Sequence, residues 1–246
     1  MPSGIRTRRD WVTFPHYRPP IETFERHMLV GDVDPATPGP QVQALLQPCG
    51  EVIASHFHDV PQFQVIVGGS GIIGRHRMGR GALRYVDRHR VYGPVRPDDS
   101  GLAYLTLRAE HDPGPHYMPD SRDDLAARQP VDPRGLGFDV VALDTCWREV
   151  TYGDPDELYV CARNLGRYET LDITMAGGGG FVVVIGGSLQ HPLMKDIAVK
   201  VVTAPAVSAC WLAAGDRLDY ARAGEHGGRV LWLQFPFDGG PRGPVS

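Results

Sequence analysis

The 246-residue sequence contains no long hydrophobic run and no excess of basic charge. Apolar runs such as Phe181–Ile185 are far shorter than the roughly 20 residues that a membrane-spanning helix requires. The formal charge of −4 at pH 7 and the pI of about 6.2 differ from the basic character of proteins that bind nucleic acids. We therefore expect neither a membrane nor a nucleic acid as a partner.

Cysteine is also scarce. The four cysteines, Cys49, Cys146, Cys161 and Cys210, are scattered and include no close pair. This pattern is typical of reduced thiols and excludes a disulfide framework or a zinc knuckle. The basic segment Met1–Arg9 is not followed by an apolar stretch, so it does not resemble a secretory signal. These observations predict a cytoplasmic protein.

Glycine and proline, in contrast, are abundant. The chain has 30 Gly and 22 Pro, about a fifth of its residues, whereas average usage gives roughly 12%. With a hydrophobic content of 42%, this composition predicts an ordered, turn-rich β protein. Short β-branched or aromatic segments predict strands at Gln62–Val67, Leu102–Leu107, Phe181–Ile185, Ile197–Val202 and Val230–Phe235. One helix is predicted, over Ser121–Gln129.

The sequence also contains signs of an internal repeat. A polar, proline-rich segment, Glu110–Gly135, divides the chain nearly in half. Val65–Ser70 is echoed by Val183–Ser188 at an offset of 118, and Gly101–Leu107 is echoed more loosely by Gly228–Gln234 at an offset of 127. Two matches in the same order indicate duplicated β units.

The residues most indicative of chemistry are His56 and His58. On a strand, residues i and i+2 point to the same face, so both imidazoles can reach one point. The pair alone is also compatible with two surface or hydrogen-bonded histidines. Its surroundings are more specific, because Gly50, Gln62 and Gly69 flank the pair at the spacing G-x5-H-x-H-x3-Q-x6-G. This spacing resembles the first motif of the cupin superfamily, in which two His and a Glu bind a metal, and here Gln62 occupies the Glu position.

The resemblance implies the fold and the domains. Cupins are double-stranded β-helix (jelly-roll) barrels, so we expect an all-β chain with two barrels and very little helix. Residues 1–110 would form a metal-binding N-terminal cupin with an N-terminal arm, residues 111–135 a connector, and residues 136–246 a C-terminal cupin.

The second half keeps none of the candidate metal ligands. At an offset of 118, the positions of His56, His58 and Gln62 fall on Thr174, Ala176 and Gly180 respectively. The resemblance therefore implies a bicupin whose C-terminal cupin is degenerate and metal-free.

The second cupin motif supplies one further histidine, for which His89 is the candidate. His89 lies 20 residues after Gly69, but the Pro-x-Gly turn of that motif is absent and Gly93 stands where Asn is usual. His76 is the competing residue, although its arginine-flanked position is typical of a solvated strand face. The ligand set implied by the resemblance is His56, His58, Gln62 and His89.

Three imidazoles and a carboxamide oxygen suit a divalent first-row metal. The resemblance implies Fe(II), and Mn, Ni, Co or Zn are chemically admissible. Because these ligands are all neutral, the centre favours an anionic or enolisable substrate, or a deprotonated water. Gln62 can instead hydrogen-bond the pocket wall, and Gln64 can turn inward. Tyr104 and Arg108 are further pocket candidates. The alternative for Tyr104 is a core position, and the alternative for Arg108 is a salt bridge to Glu110 or to an aspartate of the connector.

The resulting hypothesis is a metal-dependent cupin enzyme that acts on a small, anionic organic molecule. An Fe(II) oxygenase or dioxygenase is the first expectation. A non-redox isomerase, lyase or cyclase at the same site is an alternative, because barrels of this type host many chemistries. A bicupin that binds a small molecule or metal without turnover is a second alternative. Exposed barrel edges are compatible with a homodimer.

Overall fold

The computed structural model describes residues 11–14, 20–31, 39–128, 141–142, 150–153, 158–195 and 198–236. The first half contains β1 (Val12–Thr13), β2 (Glu25–Val30), β3 (Gln41–Gln47), β4 (His56–Phe57), β5 (Gln62–Ile73), β6 (His76–Gly79), β7 (Ala82–Val86), β8 (Val95–Arg108), β9 (His116–Tyr117) and α1 (Arg122–Ala127). The second half contains β10 (Val141–Ala142), β11 (Val150–Gly153), β12 (Tyr159–Leu165), β13 (Thr170–Thr174), β14 (Gly180–Lys195), β15 (Ala198–Pro205), β16 (Ser208–Leu212) and β17 (Arg217–Gln234).

Contacts divide the chain into two compact units. One spans residues 14–146, and the other combines residues 1–13 with residues 147–246. This division differs from the boundaries expected from the sequence, which placed the N-terminal arm in the first barrel and ended that barrel at residue 110. Val12 and Thr13 pair with Ala209 and Ser208 of β16, so β1 belongs to the second unit. Pairing between residues so far apart leaves no trace in local sequence pattern.

The first unit is built on an antiparallel sheet in the order β10-β7-β5-β8-β3-β2, with β6 paired to β5. A small two-stranded sheet of β4 and β9 lies beside it and pairs His56 with Tyr117. Apolar side chains that alternate along these strands form the core, which includes Leu45, Ile66, Met78, Leu102 and Tyr104. The β4–β9 sheet brings the histidine motif next to residues that follow β8.

The second unit repeats this plan. Its sheet has the order β1-β16-β14-β17-β12-β11, with β13 paired to β17 and β15 paired to β14. Its core includes Leu171, Val182, Leu189, Leu218 and Val230.

Two equivalent glycines confirm the repeat in three dimensions. Gly69 and Gly187 have φ values of +68° and +65°, and a Cβ on either would collide with a backbone carbonyl, that of Gly101 or Gly227 respectively. Register shifts flank both glycines, so each marks a β-bulge in its strand. The structural equivalent of Gly101 is therefore Gly227, one residue before the Gly228 that the sequence match indicated.

The structure confirms the all-β prediction. The five predicted strands fall within β5, β8, β14, β15 and β17, although Ile197 lies outside the described residues and β17 ends one residue before Phe235. The predicted helix is present as α1, shorter than expected, and Gln129 also lies outside the described residues. Within the described part of the chain, no helix has the length and hydrophobicity needed to cross a membrane.

Candidate functional site

The N-terminal barrel contains a cavity of about 100 Å³. Strands β2, β3 and β8 contribute to its walls, and the segment after β8 contributes Asp112, Pro115 and Tyr117. His56 and His58 also line it. The cavity is large enough for several water molecules or a small organic molecule, because one water needs roughly 10–15 Å³ measured in this way.

His56 in β4 and His58 directly after it both line this cavity, as expected for residues i and i+2 of an extended chain. The rings of His56 and His58 lie 5.1 Å apart between centroids and are inclined at 83°. Phe57, between them, is fully buried and stacks on the ring of His116 at 4.7 Å. The structure thus brings the two histidines of the sequence motif together.

His56 forms a hydrogen-bond network around the hydroxyl of Tyr92. Its Nδ1 lies 2.7 Å from the carbonyl oxygen of Ala54, which can only accept, so Nδ1 carries the proton. Nε2 of the neutral ring therefore accepts a hydrogen bond from the Tyr92 hydroxyl at 2.8 Å. Because the hydroxyl uses its only proton in the hydrogen bond to His56, its oxygen can only accept further hydrogen bonds. Gln62 and Gln64 donate these bonds through Nε2, at 2.7 and 3.2 Å.

Burial keeps both members of this pair neutral. Desolvation lowers the pKa of His56 to about 4 and raises the pKa of Tyr92 to about 12. The guanidinium carbon of Arg84 lies 4.8 Å from the centroid of the Tyr92 ring, in a cation–π arrangement. The pair is therefore an uncharged phenol and imidazole beside a cation.

His58 belongs to a second network, with Asp112 and Arg108. Its Nδ1 donates to Oδ2 of Asp112 at 2.8 Å, and Nη2 of Arg108 lies 3.4 Å from the same oxygen. The backbone N–H of Asp112 donates to Oε1 of Gln41 at 3.1 Å, which helps to fix the carboxylate. Burial lowers the pKa of His58, against the opposing effect of the Asp112 hydrogen bond. In the neutral ring, Nε2 carries the lone pair, and none of the described residues hydrogen-bonds to it.

Several buried polar atoms of the cavity walls have no hydrogen-bond partner among the described residues. They are Oε1 of Gln64, Oγ1 of Thr106, Nε and Nη1 of Arg108, and Oδ1 of Asp112. Buried polar groups are nearly always paired, so these atoms mark positions at which a ligand or water can bind. Asp112 is the one acidic side chain of the described lining, whereas Arg26 and Arg108 are cationic, so the cavity favours an anion.

The structure does not bring His89 to the cavity. His89 has a φ of +59°, and its Nε2 lies 3.4 Å from Oδ1 of Asp59. Its ring is nearly perpendicular to that of Phe57, with 6.3 Å between centroids. The competing residue, His76, accepts a hydrogen bond from Nε of Arg75 at 3.3 Å on an exposed part of the barrel. Tyr104 and Arg108 both line the cavity, as does Gln64.

The residues present do not fit the metal centre that the sequence resemblance implies. Nε2 of His56 is engaged by Tyr92, and Gln62 directs its amide nitrogen to the same hydroxyl. With His89 turned to Asp59, the described residues include no cluster of three His, Cys, Asp or Glu side chains arranged to hold a metal ion.

Tyr92 and Asp112 are two residues of this site that no sequence motif singles out. Tyr92 lies three residues after His89, in a segment where the motif resemblance points only to the histidine. Asp112 lies in the expected connector four residues after Arg108, so its ion pair with Arg108 is the salt bridge to a connector aspartate that the sequence left open. The sequence signal for Asp112 is therefore an acidic residue four positions after Arg108, the last residue of β8.

No protein-family model and no curated protein sequence matches the chain. Its structure is similar to an 11S globulin from Wrightia tinctoria, with a TM-score of 0.63, 10% identity, and coverage of 94% of this chain and 84% of that chain. It is also similar to a salicylate 1,2-dioxygenase from Pseudaminobacter salicylatoxidans, with a TM-score of 0.54, 10% identity, and coverage of 79% and 70%. A cupin 2 conserved barrel domain protein from Leptotrichia buccalis gives a TM-score of 0.50, 11% identity, and coverage of 87% and 89%. Together with the duplicated antiparallel units, these similarities show that the chain has the cupin fold, built as a bicupin.

Proposed function

We propose that the N-terminal barrel binds a small organic anion in its cavity and catalyses proton transfer on that molecule. The observation that carries this proposal is the shared position of Arg108 and the His58–Asp112 pair on one cavity wall. A cation for binding and a base for chemistry then face the same bound molecule. The reaction class is a non-redox isomerisation or elimination.

Arg108 is the anion-recognising group. Its guanidinium is buried, only Nη2 approaches the carboxylate of Asp112, and Nε and Nη1 lack a partner among the described residues. A guanidinium left partly unpaired in the interior is destabilising, and a carboxylate can accept two parallel hydrogen bonds from it. A small carboxylic acid therefore suits this wall of the cavity.

His58 is the proton acceptor. Asp112 fixes the proton on Nδ1, so Nε2 presents its lone pair toward the cavity. The base takes a proton from a carbon or hydroxyl of the substrate, and the carboxylate of Asp112 stabilises the imidazolium that forms. The electron pair left on the substrate then accepts the proton at another atom, in an isomerisation, or expels a leaving group, in an elimination.

A metal-dependent oxygenase is the second candidate. Two observations favour it: the close approach of His56 and His58 on one cavity, and the similarity to a salicylate 1,2-dioxygenase. At 10% identity that similarity concerns the fold. This candidate also requires the Tyr92 hydroxyl to leave His56, whereas the first uses the side chains where they lie.

Binding of acetate, pyruvate and salicylate, measured by calorimetry and thermal shift, tests the anion site. We expect at least one of these anions to bind and to lose about tenfold or more in affinity in R108Q, because one charge-assisted pair contributes roughly 1.5–3 kcal/mol. The matched control is R217Q, which removes an exposed arginine that pairs with Asp219 in the other unit. Equal affinity in the wild type and R108Q would contradict the proposal.

Solvent deuterium incorporation into the methyl group of pyruvate, whose protons are acidified by the neighbouring ketone, is followed by NMR and tests the proton transfer. We expect exchange in the wild type and its loss in H58Q with binding retained. Oxygen consumption together with stoichiometric iron, without deuterium exchange, would favour the second candidate instead.

A further inference from the structure

We infer that Tyr92 replaces the metal ion at the centre of the N-terminal barrel, and that a phenol–imidazole pair organises this site without a metal. The inference is independent of the proposed reaction, because it concerns what His56 faces and not what the cavity binds. The sequence motif implies that His56, Gln62 and His89 bind a metal, whereas in the structure these side chains contact Tyr92 and Asp59. Four observations support the inference.

The first is the saturation of His56. Its Nδ1 donates to the carbonyl of Ala54 at 2.7 Å, and its Nε2 accepts from Tyr92 at 2.8 Å. Both ring nitrogens therefore have partners within the protein. Nε2 is the atom that a metal ion would need, since Nδ1 is held by the carbonyl of Ala54, two residues before it.

The second observation concerns the glutamines. Gln62 and Gln64 both direct Nε2 to the phenol oxygen, at 2.7 and 3.2 Å. The centre of the site thus receives two N–H donors, whereas a glutamine amide can bind a metal ion only through its oxygen. Reversing either amide would place its oxygen against the phenol oxygen, whose only proton is already donated to His56.

The third observation is that the imidazole of His89 does not reach the centre of the site. The backbone N–H of His89 donates to the carbonyl of His58 at 2.8 Å, and the left-handed conformation at His89 sends its ring to Asp59. Tyr92, three residues later, supplies the side chain that reaches the centre instead. This turn explains why the motif spacing is preserved while its third ligand is displaced.

The fourth observation is electrostatic. Arg84 lies over the Tyr92 ring, and Arg108 lines the same cavity as His56. Two guanidinium groups near a buried centre oppose the arrival of a divalent cation, whereas they stabilise an electron-rich phenol ring.

Metal content and 15N NMR of the full-length protein test this inference. We expect the wild type, purified without added metal, to contain far less than one metal ion per chain and to bind Co²⁺ weakly. His56 is expected in the Nδ1–H form, with an Nε2 resonance that shifts in Y92F and stays in place in Y104F. Tyr104 is the matched control because it also lines the cavity, while its hydroxyl lies near Gln47.

A gain of metal binding provides the complementary test. Y92H exchanges the phenol for an imidazole, and we expect about a tenfold or greater increase in Co²⁺ affinity over the wild type. Three results would each overturn the inference: a stoichiometric metal in the wild type that is lost in H56A, an Nε2 resonance unaffected by Y92F, or a folded Y92H that binds Co²⁺ no better than the wild type.

Discussion

Asp59 holds Arg128 through two contacts, Oδ1 with Nε at 2.6 Å and Oδ2 with Nη2 at 3.1 Å. Nε2 of His116 lies 3.0 Å from the same carboxylate. Arg128 follows α1 directly, and the segment before α1 lines the cavity with Asp112 and Tyr117. Asp59 therefore fastens both ends of residues 116–128 to the barrel, and with them one wall of the candidate site.

Loss of this attachment is expected to loosen the cavity wall more than it destabilises the protein. In D59N, we expect the free energy of unfolding to fall by about 1 kcal/mol or less, because the pair is partly exposed. Amide hydrogen exchange at residues 112–118 is expected to accelerate. D98N is the control, since Asp98 pairs with Arg77 elsewhere on the same barrel. Equal exchange at these residues in both variants would contradict the attachment.

Burial of His56 predicts an acid-labile fold. Its pKa falls from 6.5 in the unfolded chain to about 4 in the folded one, so below pH 6.5 the unfolded chain binds a proton that the folded chain does not. Stability present above pH 6.5 is lost as the pH falls toward 4, by roughly 3 kcal/mol at most.

Urea unfolding across this pH range measures the effect of His56. The loss of stability is expected to be smaller in H56Q and unchanged in H226Q, which replaces an exposed histidine of the other barrel. A pH profile shared by the wild type and H56Q would show that His56 is not responsible.

Asp112 is expected to act through His58. In D112N, the carboxylate that fixes the Nδ1–H form and stabilises the imidazolium is absent, so the rate constant for deuterium exchange should fall by roughly 10²-fold. Anion affinity should change much less, because Arg108 remains. D99N, which alters an exposed aspartate of the first unit, is the control. A fall in affinity that matches the fall in rate would instead indicate a binding role.

The two bulge glycines are expected to be equally intolerant of a side chain. G69A and G187A each place a Cβ against a carbonyl in a left-handed conformation, so each should destabilise its barrel by about 1–3 kcal/mol. G79A is the control, because a Cβ on Gly79 would meet nothing within 4 Å. Comparable loss of stability in G79A would show that the loss reflects strand packing and not the bulge.

The sequence predicts those features of the site that depend on neighbouring residues, and it does not predict those that depend on residues far apart in the chain. The alternation of side chains along an extended segment is a local property, so the common face of His56 and His58 follows from their spacing alone. The direction of the His89 ring depends on a single φ value, which no spacing rule specifies. The contact between His58 and Asp112 joins residues 54 positions apart. It depends on the β4–β9 pairing, which only the folded chain shows.

The fold also combines features that local sequence predicts with features that it does not. The strands and the Gly69–Gly187 equivalence follow from hydrophobic alternation and turn residues, which are local properties. The unit boundary does not, because the assignment of β1 to the second barrel depends on pairing with β16, near the other end of the chain.

The position of β1 also constrains the order in which the protein can assemble on the ribosome. Val12 and Thr13 precede the first barrel in the sequence, whereas their partners in β16 follow it, so β1 is synthesised before that barrel and β16 after it. That barrel can therefore form while the chain is still growing, whereas β1 has no strand to pair with until β16 has been synthesised. A C-terminal barrel expressed alone from residue 147 would keep the edge next to β16 permanently unpaired, and unpaired edge strands promote aggregation.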